Sequence, residues 1–143
     1  MNEKSNLIYP ELSYKIIGSC FKVHSELGGK YQEKYYQRAA ELELKDKNIS
    51  FKREVVSDLS YKNQKIGRYF LDFVIDNKVV LELKTQKDFY LTDIKQVLGH
   101  FKRRNFKLGI LVNFSKDQLV FKRIINNQKL AKISDSNLRK DSR

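Results

Sequence analysis

Between residues 10 and 27 the apolar side chains Leu12, Ile16, Cys20, Val23 and Leu27 recur at steps of four, four, three and four, the stripe of an amphipathic helix. Pro10 suits the first turn, where its missing N–H has no partner to lose, and Gly28 suits the stop. A second helix is predicted over 31–47, with Tyr35, Ala39 and Leu42 on one face and Glu33, Tyr36 and Ala40 on the adjacent one. The period then shortens. Residues 51–59 are β-branched and alternate in part, 61–67 supply polar turn residues, and 68–75 form a strong strand. Asp76 and Asn77 turn the chain into a third strand over 79–84. A polar connection leads to a helix over 91–104 with Ile94, Val97, Leu98 and Phe101 on its face, and strands over 107–114 and 119–125 close the pattern. The expected fold is mixed α+β, in one domain over residues 1–125. Residues 126–143 read as a basic, flexible tail carrying Lys129, Lys132, Arg139, Lys140 and Arg143 against Asp135 and Asp141.

Three residues break the apolar rule inside this pattern. Asp72 lies in Tyr69-Phe70-Leu71-Asp72-Phe73-Val74-Ile75, and Glu82 and Lys84 lie in Val79-Val80-Leu81-Glu82-Leu83-Lys84. A carboxylate in a core strand loses hydration worth several kcal/mol, roughly, and normally neutralises, pairs or binds a metal. Strand register makes a shared site testable. With only Asp76 and Asn77 in the loop, Glu82 points away from Asp72. With a three-residue loop of Asp76, Asn77 and Lys78, Ile75 faces Val79, Asp72 lies across from Glu82, and Lys84 follows on the same face. We expect that odd loop. Two hard carboxylates without His or Cys suit Mg²⁺ or Mn²⁺. A water activated by that metal is the expected nucleophile, with Lys84 beside it to orient it or stabilise charge. A plain ion pair of Lys84 with Asp72 or Glu82 is the alternative.

Charge extends the picture to partners. Lys and Arg outnumber Asp and Glu by 29 to 17 in 143 residues, a formal +12 that favours a polyanion. The densest basic cluster is Lys102, Arg103, Arg104 and Lys107, with Lys87 and Lys95 nearer the motif, and all six are candidate phosphate contacts. The cluster also suits the C-terminal end of a helix dipole. The one cysteine, Cys20, excludes an intramolecular disulfide and a cysteine-based zinc cluster. Cys20 and His24 read as a core thiol and a hydrogen-bonded histidine. His100 shows no partner in the sequence. No apolar targeting segment or membrane span is visible, so a cytoplasmic protein is expected.

Asp72, nine intervening residues and Glu82-Leu83-Lys84 resemble the D-x(n)-E-x-K motif of the PD-(D/E)XK nuclease superfamily, and the predicted order resembles its restriction-endonuclease-like α-β-β-β-α-β core, a mixed central sheet flanked by helices. A second stretch, Leu27-Gly28-Gly29-Lys30-Tyr31-Gln32-Glu33-Lys34-Tyr35-Tyr36, resembles the defining segment of the GxxExxY family within that superfamily. Glu33 and Tyr36 match E-x-x-Y, while Lys30 replaces the glycine. The resemblance continues to about residue 125. It implies that Asp72, Glu82 and Glu33 bind the metal, that Lys84 serves the attacking water, and that Gln96 supports the site.

The expected function is therefore a metal-dependent nuclease that hydrolyses DNA phosphodiester bonds by attack of a metal-activated water, with RNA left open as a substrate. A nuclease-fold module that binds nucleic acid or a protein without cutting is the alternative. A symmetric two-strand cutter requires a homodimer.

Overall fold

The structure, a computed structural model, describes residues 8–115 and 117–126, with backbone only for Lys102 and Arg103. The basic tail expected beyond residue 126 lies outside the described residues, as do the side chains of those two cations. The elements are α1 (Pro10–Leu27), α2 (Glu33–Asp46), β1 (Phe51–Tyr61), β2 (Gln64–Ile75), β3 (Val79–Lys84), α3 (Leu91–Arg104), β4 (Leu108–Phe114) and β5 (Leu119–Ile125).

The strands form one sheet in the order β1-β2-β3-β4-β5. Only the β3–β4 pair is parallel, because α3 carries the chain across the sheet between them. Helices cover both faces. On one, Ile16, Cys20 and Val23 of α1 and Tyr36, Ala40 and Leu44 of α2 pack on Phe73, Leu81, Leu83, Ile110 and Val112. On the other, Ile94, Val97 and Phe101 of α3 pack on Leu71, Val74, Val80 and Leu111. With both faces covered, β4 is buried at every residue and β3 at all but Lys84. Gly109 lets α3 approach closely: a Cβ there would lie 2.5 Å from Val97 Cγ1 and 3.2 Å from the Phe101 ring.

Of the two α2 faces, the Tyr36, Ala40 and Leu44 stripe enters the core, with Ala39 packed at its edge, while Tyr35 and Leu42 are exposed. One sequence expectation is corrected. Residues 61–67 are not a long turn. Lys62 and Asn63, both left-handed, make a tight turn, and the flanking residues pair as Tyr61↔Gln64 and Ser60↔Lys65. Their polarity reflects a ribbon solvated on both faces, which hides the alternation expected of a half-buried strand.

The hairpin that sets the motif has the odd loop. Ile75 pairs with Val79 and Phe73 with Leu81, with Asp76 and Asn77 at φ 52° and 53°. Asp and Asn tolerate that left-handed region better than most side chains. The Lys78 N–H closes the turn on the Ile75 carbonyl at 2.9 Å.

Candidate active site

The β2–β3 ladder stops at Phe73↔Leu81, one step short of Asp72 and Glu82. Beyond it, side chains take over the work of the backbone. The Asp72 N–H reaches Glu82 Oε2 at 3.4 Å, and the Leu83 N–H donates to Asp72 Oδ2 at 2.8 Å. On the other edge of β2 a second irregularity falls at the same residue. Arg53 pairs with Phe73 and Val55 with Leu71, while Glu54 between them adopts φ 52° and skips its pairing with Asp72. Such a conformation costs a non-glycine residue about 1–2 kcal/mol. It coincides with a switch of faces, since Phe73 faces α1 and α2 whereas Val55 and Leu71 face α3. Asp72 lies at the switch, half-buried and released from regular pairing.

Glu82 is 9% exposed, and its carboxyl is held well above the usual carboxylate range. Burial is the main cause; the charge of Asp72 and a direct hydrogen bond with it push the same way, and Lys84 opposes them. Asp72 and Glu82 therefore meet, as the loop length requires. Glu33, in the first turn of α2, is half-buried with its carboxyl also raised, first by burial, then by Asp72; Lys84 lowers it and Asp93 raises it. Lys84 thus lies within electrostatic reach of both Glu82 and Glu33. Among the described residues, no three His, Cys, Asp or Glu side chains close on one point. The acids instead form a contacting pair with a third nearby.

Several residues that the sequence reading passed over hold this arrangement. The Tyr36 hydroxyl donates to the Gly28 carbonyl at 2.5 Å and accepts from the Tyr31 N–H at 3.2 Å, while its ring stacks on Phe114 with centroids 4.4 Å apart. This clamps the loop that delivers Glu33. Gly28 supplies the positive φ, 72°, that the loop needs, so Lys30 is accommodated without one. Arg53 ties α2 to β2: it donates to Glu41 at 2.8 Å, Gln37 at 3.2 Å and the Asp72 carbonyl at 3.1 Å, and stacks over Phe73. Gln37 in turn reaches Glu33 Oε2 at 3.5 Å. Beyond Lys84, buried Asn113 holds both backbone groups of Gln86, at 2.8 and 2.7 Å. The Gln86 amide and the Tyr90 N–H meet Asp93 Oδ2, at 2.5 and 3.0 Å. An inward arginine in a half-buried strand was the one available signal for Arg53.

His100 does have a partner. It is 1% exposed on α3, with Nε2 4.0 Å from Glu82 Oε1 and its ring edge-on to Tyr69. Gln96 lies on the same helix, half-buried. Among the predicted phosphate contacts, Lys87, Lys95 and Lys107 are exposed, and Lys87 lines an open groove of about 670 Å³ with Lys30, Tyr31, Gln32 and Gln86. Arg104 is exposed too, but its Nη1 donates to the Val56 carbonyl at 3.1 Å. Cys20 and His24 are the expected core pair: burial pushes the thiol up to about 12, and His24 Nε2 meets the Ser115 carbonyl at 2.9 Å. No helix among the described residues is long and apolar enough to cross a membrane.

A sheet of this order, with paired acids and a lysine where a central hairpin opens, is the architecture of a nuclease-like fold. A family model described as the PD-(D/E)XK nuclease superfamily matches residues 10–124, and the chain belongs to that superfamily. Among solved structures, the one titled "Crystal structure of SSO0001" is similar in fold, with a TM-score of 0.52 at 17% identity. The match covers 68% of this chain and 52% of that one, so this chain spans about half of that protein's length. A search of curated proteins gives no match.

Proposed function

We propose that the protein is a metal-dependent nuclease of the GxxExxY type that hydrolyses DNA phosphodiester bonds. The observation that supports this most strongly is the buried contact between Asp72 and Glu82, with Lys84 in reach. Two carboxyls in contact away from water are costly unless one keeps a proton or a cation stands between them. The donor set, hard oxygens without His or Cys, fits Mg²⁺ or Mn²⁺, which keep several waters and need few protein ligands alongside a phosphate. Asp72 and Glu82 would hold the ion, with Glu33 the third carboxylate on that side. The chemistry such an ion supplies is activation of a water and neutralisation of charge on the phosphate.

The chain's own groups do the rest. Lys84 brings an ammonium to the paired acids, where it orients the attacking water and offsets charge that develops on the phosphoryl oxygens. Glu33, its carboxyl raised by burial first and by Asp72 second, adds a third acid beside the pair. His100 approaches Glu82 Oε1 from α3 at 4.0 Å, and Gln96, on the same helix, takes the supporting role that the family resemblance implies. Lys87, Lys95 and Lys107 meet the phosphate backbone and give affinity without sequence choice.

The test is a panel of labelled single-stranded, duplex, nicked and four-way DNA, with an RNA control, incubated with Mg²⁺, Mn²⁺ or chelator. Cleavage that needs the metal and disappears in Asp72→Asn, Glu82→Gln and Lys84→Ala, with folding retained, is the expected outcome. Intact substrate throughout, with either metal, refutes the reading.

A further inference from the structure

β1 and β2 are longer than the sheet they belong to. They pair from Phe51↔Ile75 out to Tyr61↔Gln64, whereas β3 pairs with β2 only over residues 73–75. β1 is also the outer strand. Beyond Asp72 the two strands therefore leave the sheet as a ribbon. Its root packs on α3 through Val55 and Leu71, through the Tyr69 ring on His100, and through Arg104 on the Val56 carbonyl. Past Ser57 nothing in residues 58–68 is buried.

A solvated ribbon of this kind would be expected to end early or to carry only polar residues. This one does neither. Tyr61 and Ile66 are 63% and 62% exposed, and Lys62, Lys65 and Arg68 stand among them against Asp58 alone. Gly67, in the strand interior, leaves open space: a Cβ there would meet no atom within 4 Å. Glycine in such a place admits close approach of another backbone. The register shift between Leu59 and Ser60 adds local right-handed twist.

We propose that this ribbon is a duplex-DNA-binding arm that enters the major groove beside the scissile phosphate. The inference rests on the nuclease reading and adds to it the substrate form, double-stranded DNA. A two-stranded ribbon fits the width of the major groove, and its cations complement the phosphates on either rim. Length agrees. From Asn63 at the tip to Tyr69, where the ribbon meets α3, is six residues, about 20 Å of strand at ~3.3 Å per residue, more than the depth of the groove. Arg68 lies four residues from Asp72, about 13 Å along the same strand. Arg104, expected from sequence to grip phosphate, here braces the root of the arm.

The experiment separates the two readings by measuring binding without cutting. In an Asp72→Asn background, fluorescence anisotropy across a salt series follows a labelled duplex of about two turns and the corresponding single strand. Adding Lys62→Ala, Lys65→Ala and Arg68→Ala together is expected to weaken duplex binding at least tenfold at ~0.1 M salt, and to lower the log–log salt slope by about 2–3. Single-strand affinity should fall by much less. All three side chains are exposed, so the thermal midpoint serves as a control for folding. If the parent binds DNA and the triple variant matches it in duplex affinity and slope, the arm inference alone is overturned, as it would be if the ribbon served a protein partner. Equal losses for duplex and single strand overturn the major-groove assignment. A parent that binds no nucleic acid overturns the arm and the nuclease reading together.

Discussion

Replacing the buried Glu82 carboxylate by an amide should make the metal-free protein more stable at neutral pH while removing its cleavage activity. Glu82 is 9% exposed and in contact with Asp72, and its carboxyl is raised by burial first and by Asp72 second. Two like charges about 4 Å apart at an effective dielectric of ~20 repel by about 4 kcal/mol. Attraction to Lys84 offsets part of that, and an amide must still accept the Asp72 N–H while finding partners for its own NH₂. A net gain of about 1–2 kcal/mol for Glu82→Gln follows. For a domain of 143 residues, an unfolding entropy of ~0.3 kcal/mol/K converts that to a rise of about 3–7 °C. The pH dependence fixes the sign. A carboxyl raised in the folded state binds more protons folded than unfolded, so its stabilisation is complete below its unfolded value near 4.5 and is lost as pH climbs through the folded value. The gain should therefore grow as pH rises above 4.5, be larger at pH 8 than at pH 4, and vanish near pH 4. Thermal unfolding in chelator at both values, followed by circular dichroism, reads it directly. Excess Mg²⁺ should then stabilise the parent, by about 2.7 kcal/mol at one hundred times its Kd, and leave the variant unmoved. A variant less stable than the parent at pH 8, or equally stabilised at pH 4, would refute the reasoning.

Three other outcomes are expected. Arg53→Lys, which cannot keep three hydrogen bonds and the stack on Phe73, should lower kcat more than it changes KM, because it releases both α2 and the Asp72 carbonyl; steady-state cleavage kinetics would show the split. Tyr36→Phe removes the hydroxyl that clamps Gly28 and Tyr31 and should cost about 1 kcal/mol in urea unfolding while slowing cleavage. Gly109→Ala drives a Cβ to 2.5 Å from Val97 and should destabilise by about 1–3 kcal/mol in the same assay.

Much of this arrangement was legible along the chain, for reasons that differ by element. The stripe of α1 and the caps Pro10 and Gly28 are local, so its bounds, Pro10–Leu27, follow from sequence alone. The three-residue loop was forced by chemistry, since only odd spacing lets Asp72 and Glu82 meet. The α2 face was not forced. Tyr35 and Tyr36 compete for the core, and what favours Tyr36 is the stacking on Phe114, nearly eighty residues away. Glu54 and Arg53 gave no local sign of the switch of faces at Asp72, which depends on how β1 pairs with β2. The paired arm escaped notice because a ribbon solvated on both faces has no hydrophobic alternation to read. His100 was passed over because its partner, Glu82, lies on another element, the strand β3 beneath α3.

The hydrogen bonds that close the opening between β2 and β3 have a consequence for how metal loading can be watched. The main-chain amides of Asp72 and Leu83 are held by the carboxylates that would bind the ion. An ion that draws those oxygens toward itself must loosen its grip on the two N–H groups or reorient them. Their resonances and exchange rates should therefore titrate with added Mg²⁺, while those of Phe73 and Leu81, one rung inward on the regular ladder, stay still. Two backbone amides thus become a built-in gauge of occupancy, readable before any substrate is added.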